Sequence, residues 1–176
     1  MALYEYEGKR PVIPATTFIH PDAVVIGEVV FGENCYVGAG AVVRGDYGNI
    51  IIGDGTNIQE NATLHTEPYS TAVIESDVLI GHGAIVHGPC TIESNTTIGM
   101  GSVVNAHTSI EEGSLLAAGS VLPPRKTIPS RKVAMGNPAR VVKDVDENML
   151  TYNQIAIKLY QDLAGKCMEG LKRIDE

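Results

Sequence analysis

The chain has 176 residues and a net charge of −8, with 19 Gly, two Phe and no Trp. That length fits one domain with a short appendage, and the acidic balance argues against a nucleic-acid partner, which would need a basic patch. No apolar run is long enough for a membrane span and Met1–Arg10 lacks a signal-peptide pattern, so a cytoplasmic protein with Cys35, Cys90 and Cys167 reduced is expected.

Along the chain, aliphatic residues recur every sixth position. A first block runs through Ile19, Val25, Phe31, Val37 and Val43, and resumes at Ile52, Ile58 and Leu64 after three extra residues. Four extra residues follow Leu64, and the step then holds without a break from Ile74 to Ile128. Four positions after each aliphatic sits a small residue, among them Cys35, Ala41, Thr56, Ala62, Ala84, Cys90, Thr96, Ser102 and Ser114. Period six is neither the 3.6 of a helix nor the simple alternation of a half-buried strand. It predicts an all-β fold, a triangular parallel β-helix of about six coils in which three hexads make one turn and Cys35 and Cys90 fill small interior positions. Residues 131–140 break the repeat and are expected to form a loop closing the prism. Asp146 then reads as an N-cap. Met149, Tyr152, Ala156, Leu159, Leu163 and Cys167 follow at helical spacing and predict a C-terminal α-helix with one apolar face. Two parts result: residues 1–140, the β-helix, and 141–176, the C-terminal helix.

The repeat also fixes vertical neighbours. His65 lies one 18-residue coil and the three-residue insertion beyond Arg44, and His87 lies one coil and the four-residue insertion beyond His65. Arg44, His65, His87 and Asn105 therefore form one column. Imidazoles stacked at about 4.8 Å can converge on one cation, although a stacked polar pair can also simply hydrogen-bond. His82 belongs to the preceding vertex, where a rigid prism cannot bring it to the same ion. A neighbouring prism could, and that geometry predicts a cyclic homotrimer with His65 and His87 from one subunit and His82 from the next. His20 and His107 read as ordinary surface histidines.

The combination Arg44-Gly-Asp46, Asn57-Ile-Gln59, Leu64-His65, Gly81-His82 and Val86-His87 resembles the γ-class carbonic anhydrases. With Tyr160–Cys167 it resembles most the branch found in phenylacetate and carnitine catabolism. The resemblance implies a left-handed coil and a metal bound by His65, His82 and His87: Zn2+, with Fe2+ or Co2+ as substitutes. It also implies reversible hydration of CO2 to bicarbonate by a metal-bound hydroxide. Gln59 would hydrogen-bond the reacting oxygen and Asn57 would assist its placement. Arg44 and Asp46 would form a structural ion pair near the subunit interface. Tyr47 stands where archetypal members carry an acidic proton shuttle, and the loop after His65 offers only Glu67. That departure keeps two alternatives in view: an acyl-CoA thioesterase on the same site, and a hexapeptide-repeat acyltransferase with His107 as its base.

Overall fold

Three hydrogen-bonded columns of aliphatic side chains run the length of the molecule. A computed structural model describes residues 2–174; Met1 and the last two residues of the expected C-terminal segment, Asp175 and Glu176, lie outside the described residues. One column stacks Ile19, Val37, Ile58, Ile80, Ile98 and Leu116 in parallel register. A second stacks Val25, Val43, Leu64, Val86, Val104 and Leu122. The third stacks Phe31, Ile52, Ile74, Ile92, Ile110 and Ile128. All of these side chains are buried, as are the small residues between them, including Cys35 and Cys90. Burial pushes those two thiols up to about 11 and about 12, as expected of inert interior positions.

The fold is the expected left-handed β-helix, but it makes about seven turns rather than six. The added rungs lie at the ends. Ala2–Tyr4 pairs with Val24–Ile26 ahead of the first hexad, and Lys132–Gly136 pairs with Leu115–Leu116 behind the last. Lys132–Gly136 also turns back to pair antiparallel with Ala139–Asp144. The segment expected to be a loop is thus a hairpin that covers the open end of the prism. Its first strand keeps the step, with Ala134 six residues after Ile128 and paired with Leu116, but a small residue there hides it, and the antiparallel return has no coil to follow.

Both insertions bulge outward and leave the columns intact. The first lies within the long strand Val42–Ile52, where the register shifts between Gly27 and Val29. A Cβ on Gly27 would stand 2.3 Å from the Gly45 carbonyl oxygen, so the bulge needs glycine there. The second, residues 67–70, stacks on the first through Tyr69 N–H to Tyr47 O at 3.0 Å.

The helix spans Glu147–Gly170, and Asp146 caps it by accepting from Met149 N–H at 2.9 Å. Its packed face differs from the expected one. Asn153, Ile157 and Ala164 are buried, with Tyr160 and Cys167 partly so, whereas Tyr152 is 75% and Leu159 63% exposed. The turns of the prism are polar, and they select polar anchors. Asn153 accepts from Thr97 Oγ1 at 2.5 Å and donates to Asn95 O at 2.9 Å, while Gln161 donates to Asp77 Oδ1 at 2.9 Å.

Each column depends on continuous filling. Ile80 is fully buried at mid-height. Ile80→Ala should cost about 2–5 kcal/mol through lost transfer energy and a cavity. The check is the shift in denaturant midpoint by circular dichroism; a shift worth under about 1 kcal/mol would mean the column tolerates gaps.

Candidate metal centre

The predicted histidine column forms as expected at its lower positions. Arg44 pairs with His65, and His65 with His87, in consecutive parallel strands. The two imidazoles are 5.5 Å apart between ring centroids and inclined at 42°. Asn105 follows Val104, which pairs with Val86, one residue beyond the end of its strand. It donates to Leu122 O at 2.8 Å instead of turning to the histidines.

The first insertion brings Asp46 onto the same side. Its Oδ2 takes the Arg44 guanidinium at 2.6 Å, so the expected ion pair exists within one chain. Its Oδ1 lies 3.3 Å from His65 Nε2, yet the alignment is too poor for a hydrogen bond. Among the described residues, His65 Nε2 and Asn57 Nδ2 are the buried side-chain polar atoms with no hydrogen-bond partner. Such atoms are rare in folded proteins and ask for a reason. Burial lowers the His65 pKa, the nearby Arg44 charge lowers it further, and Asp46 opposes both without reversing them. His65 is therefore a neutral imidazole near pH 7, the form that binds metals.

His82 stands on a different vertex, after Ile80 and Gly81 in the column of Asn57–Ile58. A Cβ at Gly81 would meet Met100 N at 2.7 Å, so only glycine allows the next coil to close here. Gln59 Oε1 accepts from His82 N–H at 3.2 Å, and Gln59 Nε2 donates to Asn57 Oδ1 at 3.1 Å. The two amides expected to serve the reaction thus form one buried unit attached to His82. Its ring, 46% exposed, places Nδ1 2.6 Å from Glu60 Oε2. Burial alone would raise the Glu60 carboxyl, but hydrogen bonds from its own backbone amide and from Tyr36, with the charge of His82, hold it below its ordinary value.

One chain thus brings together His65 and His87 but leaves His82 apart. No group of three or more His, Cys, Asp or Glu among the described residues could hold a metal ion within a single chain. The proton-transfer side is equally informative. Tyr47 is exposed and packs edge-on against Tyr6, while Glu67 lies 3.4 Å from His107. Hence His107 contacts a carboxylate rather than solvent alone. Glu60 was not singled out by motif, although the column spacing that relates His65 to His87 also relates Glu60 to His82.

Beside Gln59 and His82 an apolar groove of about 640 Å3 runs between the prism and the helix, lined by Leu79, Met100, Tyr152 and Tyr160 among others. Among the described residues no helix is long and apolar enough to cross a membrane.

Known proteins are similar to this chain over nearly its whole length. The carnitine operon protein CaiE of Shigella flexneri serotype 5b is 39% identical over 171 residues, covering 97% of this chain and 87% of its own. The chain belongs to the CaiE family of hexapeptide-repeat proteins. This is the carnitine branch of the γ-carbonic-anhydrase-like proteins that the motifs implied. CaiE of Escherichia coli O157:H7 matches at the same 39% identity and coverage. A solved hexapeptide transferase family protein from Anaplasma phagocytophilum superposes with a TM-score of 0.89 at 39% identity, over 93% of this chain and 96% of that one. A provisionally named acetyltransferase from Bacillus cereus gives 0.90 at 33% identity, over 93% and 94%. Residues 71–106 match the family described as bacterial transferase hexapeptide (six repeats). Those are the coils that carry both His82 and His87.

The half-buried Asp46 carboxylate makes an acid-side prediction. Burial pushes its pKa up, but the Tyr47 amide and the Arg44 guanidinium bring it below the ordinary 3.8. A folded pKa below the unfolded one stabilises above the unfolded value and is lost as pH falls through the folded value. Asp46→Asn should therefore flatten the loss of stability on acidification from about pH 5 to pH 3. Urea midpoints across that range give the test, and an equally steep fall in the variant would remove Asp46 from the account.

Proposed function

We propose that this protein is a γ-carbonic-anhydrase-like metalloenzyme, hydrating CO2 reversibly at sites shared between the subunits of a homotrimer. The observation that carries this reading is the in-register pair His65/His87, with a buried, unpartnered Nε2 on a neutral His65. That nitrogen and the all-imidazole donor set fit a divalent cation of borderline softness, Zn2+ or in its place Fe2+ or Co2+. His65 and His87 would hold it from one chain and His82 from the next. When bound, the cation supplies Lewis acidity and brings the pKa of the water it polarises to about 7.

The rest falls to the chain itself. His82 N–H fixes the Gln59 amide, which leaves one Gln59 N–H and the unpartnered Asn57 Nδ2 as donors for the developing bicarbonate. Arg44 and Asp46 lock the flank of His65. With Tyr47 in place of an acid, proton export falls to Glu67, which is shared with His107, or to the buffer.

A second reading has its own support in the groove beside Gln59 and His82, which is large and apolar enough for an acyl group. There the same site would cleave an acyl-CoA thioester. The transferase names of related proteins favour acyl transfer in general.

Metal analysis comes first. About one divalent ion per chain is expected, lost on replacing His65, His82 or His87 with Ala. His82→Ala and His65→Ala chains, unfolded and refolded together, should regain about a quarter of the sites, since an intact interface needs the right chain on each side. Zero recovery in trimers shown to be mixed would refute a shared site.

Activity separates the chemistries. CO2 hydration should be slow in weak buffer and accelerate with added imidazole, because export limits it. A slow rate that saturating imidazole leaves unchanged, beside thioester cleavage abolished by chelator, would transfer the assignment to the thioesterase. Acyl transfer that survives chelation and disappears in His107→Ala would transfer it to a metal-independent acyltransferase.

A further inference from the structure

The metal reading explains three histidines but says nothing of what aims the most exposed of them. His65 and His87 are braced by each other and by the strands on either side. His82 sits at a corner of the prism with its ring half in solvent. A ligand there has many rotamers to lose and two ring nitrogens to choose between.

The structure supplies a brace. Glu60 lies one coil away, at the position that the 18-residue turn and the four-residue insertion place in line with His82. Its Oε2 is 2.6 Å from His82 Nδ1, close enough for a small turn of the ring to place the Nδ1 proton on the carboxylate. Its Oε1 accepts from the Tyr36 hydroxyl at 2.8 Å. Tyr36 is itself fixed: it is buried, its ring stacks on Phe18 at 5.6 Å, and Tyr160 of the C-terminal helix leans on it at 5.2 Å. A Cβ on Gly38 would come within 2.7 Å of Glu60 Oε1, so a glycine keeps the carboxylate's place open.

We propose that Glu60 is the positioning residue for His82: it binds the Nδ1 proton, fixes the tautomer, and leaves Nε2 as the nitrogen that ligates the neighbouring subunit's site, with Tyr36 and the C-terminal helix holding Glu60 in turn. The proposal rests on the metal reading above. It gives the helix a role at the site, because Tyr160 reaches His82 through one ring contact, one hydrogen bond and one close carboxylate–imidazole contact. A carboxylate behind a ligating imidazole also raises its basicity, and loss of such a partner ordinarily costs 10–100-fold in metal affinity.

The experiment measures Zn2+ affinity by competition with a chelator, on the full chain and on Glu60→Ala, Glu60→Gln and Tyr36→Phe. Unchanged circular dichroism and elution volume establish that each variant is folded and assembled. Glu60→Ala should bind Zn2+ 10–100-fold more weakly. Glu60→Gln retains an oxygen that accepts from Nδ1 and should recover most of that loss. Tyr36→Phe should lie between the parent and Glu60→Ala. In parallel, 15N chemical shifts of the His82 ring in metal-free protein should report the Nδ1–H tautomer in the parent and lose that preference in Glu60→Ala, which needs neither metal nor activity. A folded Glu60→Ala that binds Zn2+ as tightly as the parent, or a parent His82 protonated on Nε2, would overturn the role of Glu60. A parent with the Nδ1–H tautomer that takes up no Zn2+ would overturn the metal reading itself, and the proposal with it.

Discussion

Vertical register is the constraint on which the rest of this molecule depends. Parallel strands one coil apart are bonded residue to residue, and the three aliphatic columns leave no freedom to slide, since a one-residue slip would carry every buried side chain to the surface. Register converts a distance in sequence into a distance in space. Residues such as Arg44, His65 and His87, unrelated by any local motif, become neighbours because the coil length says so. The insertions do not weaken this. They leave the prism as outward bulges, bond to each other through Tyr69 and Tyr47, and deliver Asp46 and Glu67 to the histidine face.

The same rigidity that joins His65 to His87 keeps His82 away. Corners of a filled prism cannot approach one another, so a donor set divided between two vertices cannot close within one chain. Head-to-tail contact in a ring of three brings unlike faces of the same protein together at every interface, with no change of fold. For the reading proposed above, trimerisation is then a requirement of the chemistry rather than an embellishment of it. The exposed Tyr152, on the helix, lines the same groove as His82.

What could be read from the sequence divides along the same line. The hexad step is a direct imprint of the coil, so the columns, their small partners, the insertions and the His65/His87 pair were all legible before any coordinates. Features outside the repeat were not. The hairpin of Lys132–Gly136 and Ala139–Asp144 carries only Ala134 on the six-residue step, a residue too small to stand out, and its second strand runs antiparallel. The helix was rotated in expectation because hydrophobicity was taken to choose its packed face. The prism corners are polar, and Asn153 and Gln161 pair with them more favourably than Leu159 would. Glu60 is a different kind of omission. Its spacing from His82 equals that of His65 from His87, but a glutamate on a prism corner looks in sequence like any solvated surface charge.

Electrostatics gives register a further consequence at His65. A guanidinium directly below an imidazole disfavours its protonation, a carboxylate beside it favours protonation, and burial disfavours any charge there. At His65 the burial effect is the largest, with Arg44 reinforcing it and Asp46 opposing. The Arg44–Asp46 pair is therefore more than a strut. Arg44 holds Asp46 Oδ2 at 2.6 Å and the Tyr47 N–H holds Oδ1 at 2.9 Å, so the carboxylate beside His65 is already engaged on both oxygens. The imidazole is left neutral, desolvated and without a hydrogen-bond partner on Nε2. Leaving a buried nitrogen unpaired costs about 1–3 kcal/mol, a cost a fold bears when something else is to satisfy the atom. A cation would satisfy it with the lone pair that protonation would have consumed. The ion pair, the column and the unpaired nitrogen thus follow from one fact, that Arg44 lies one coil from His65.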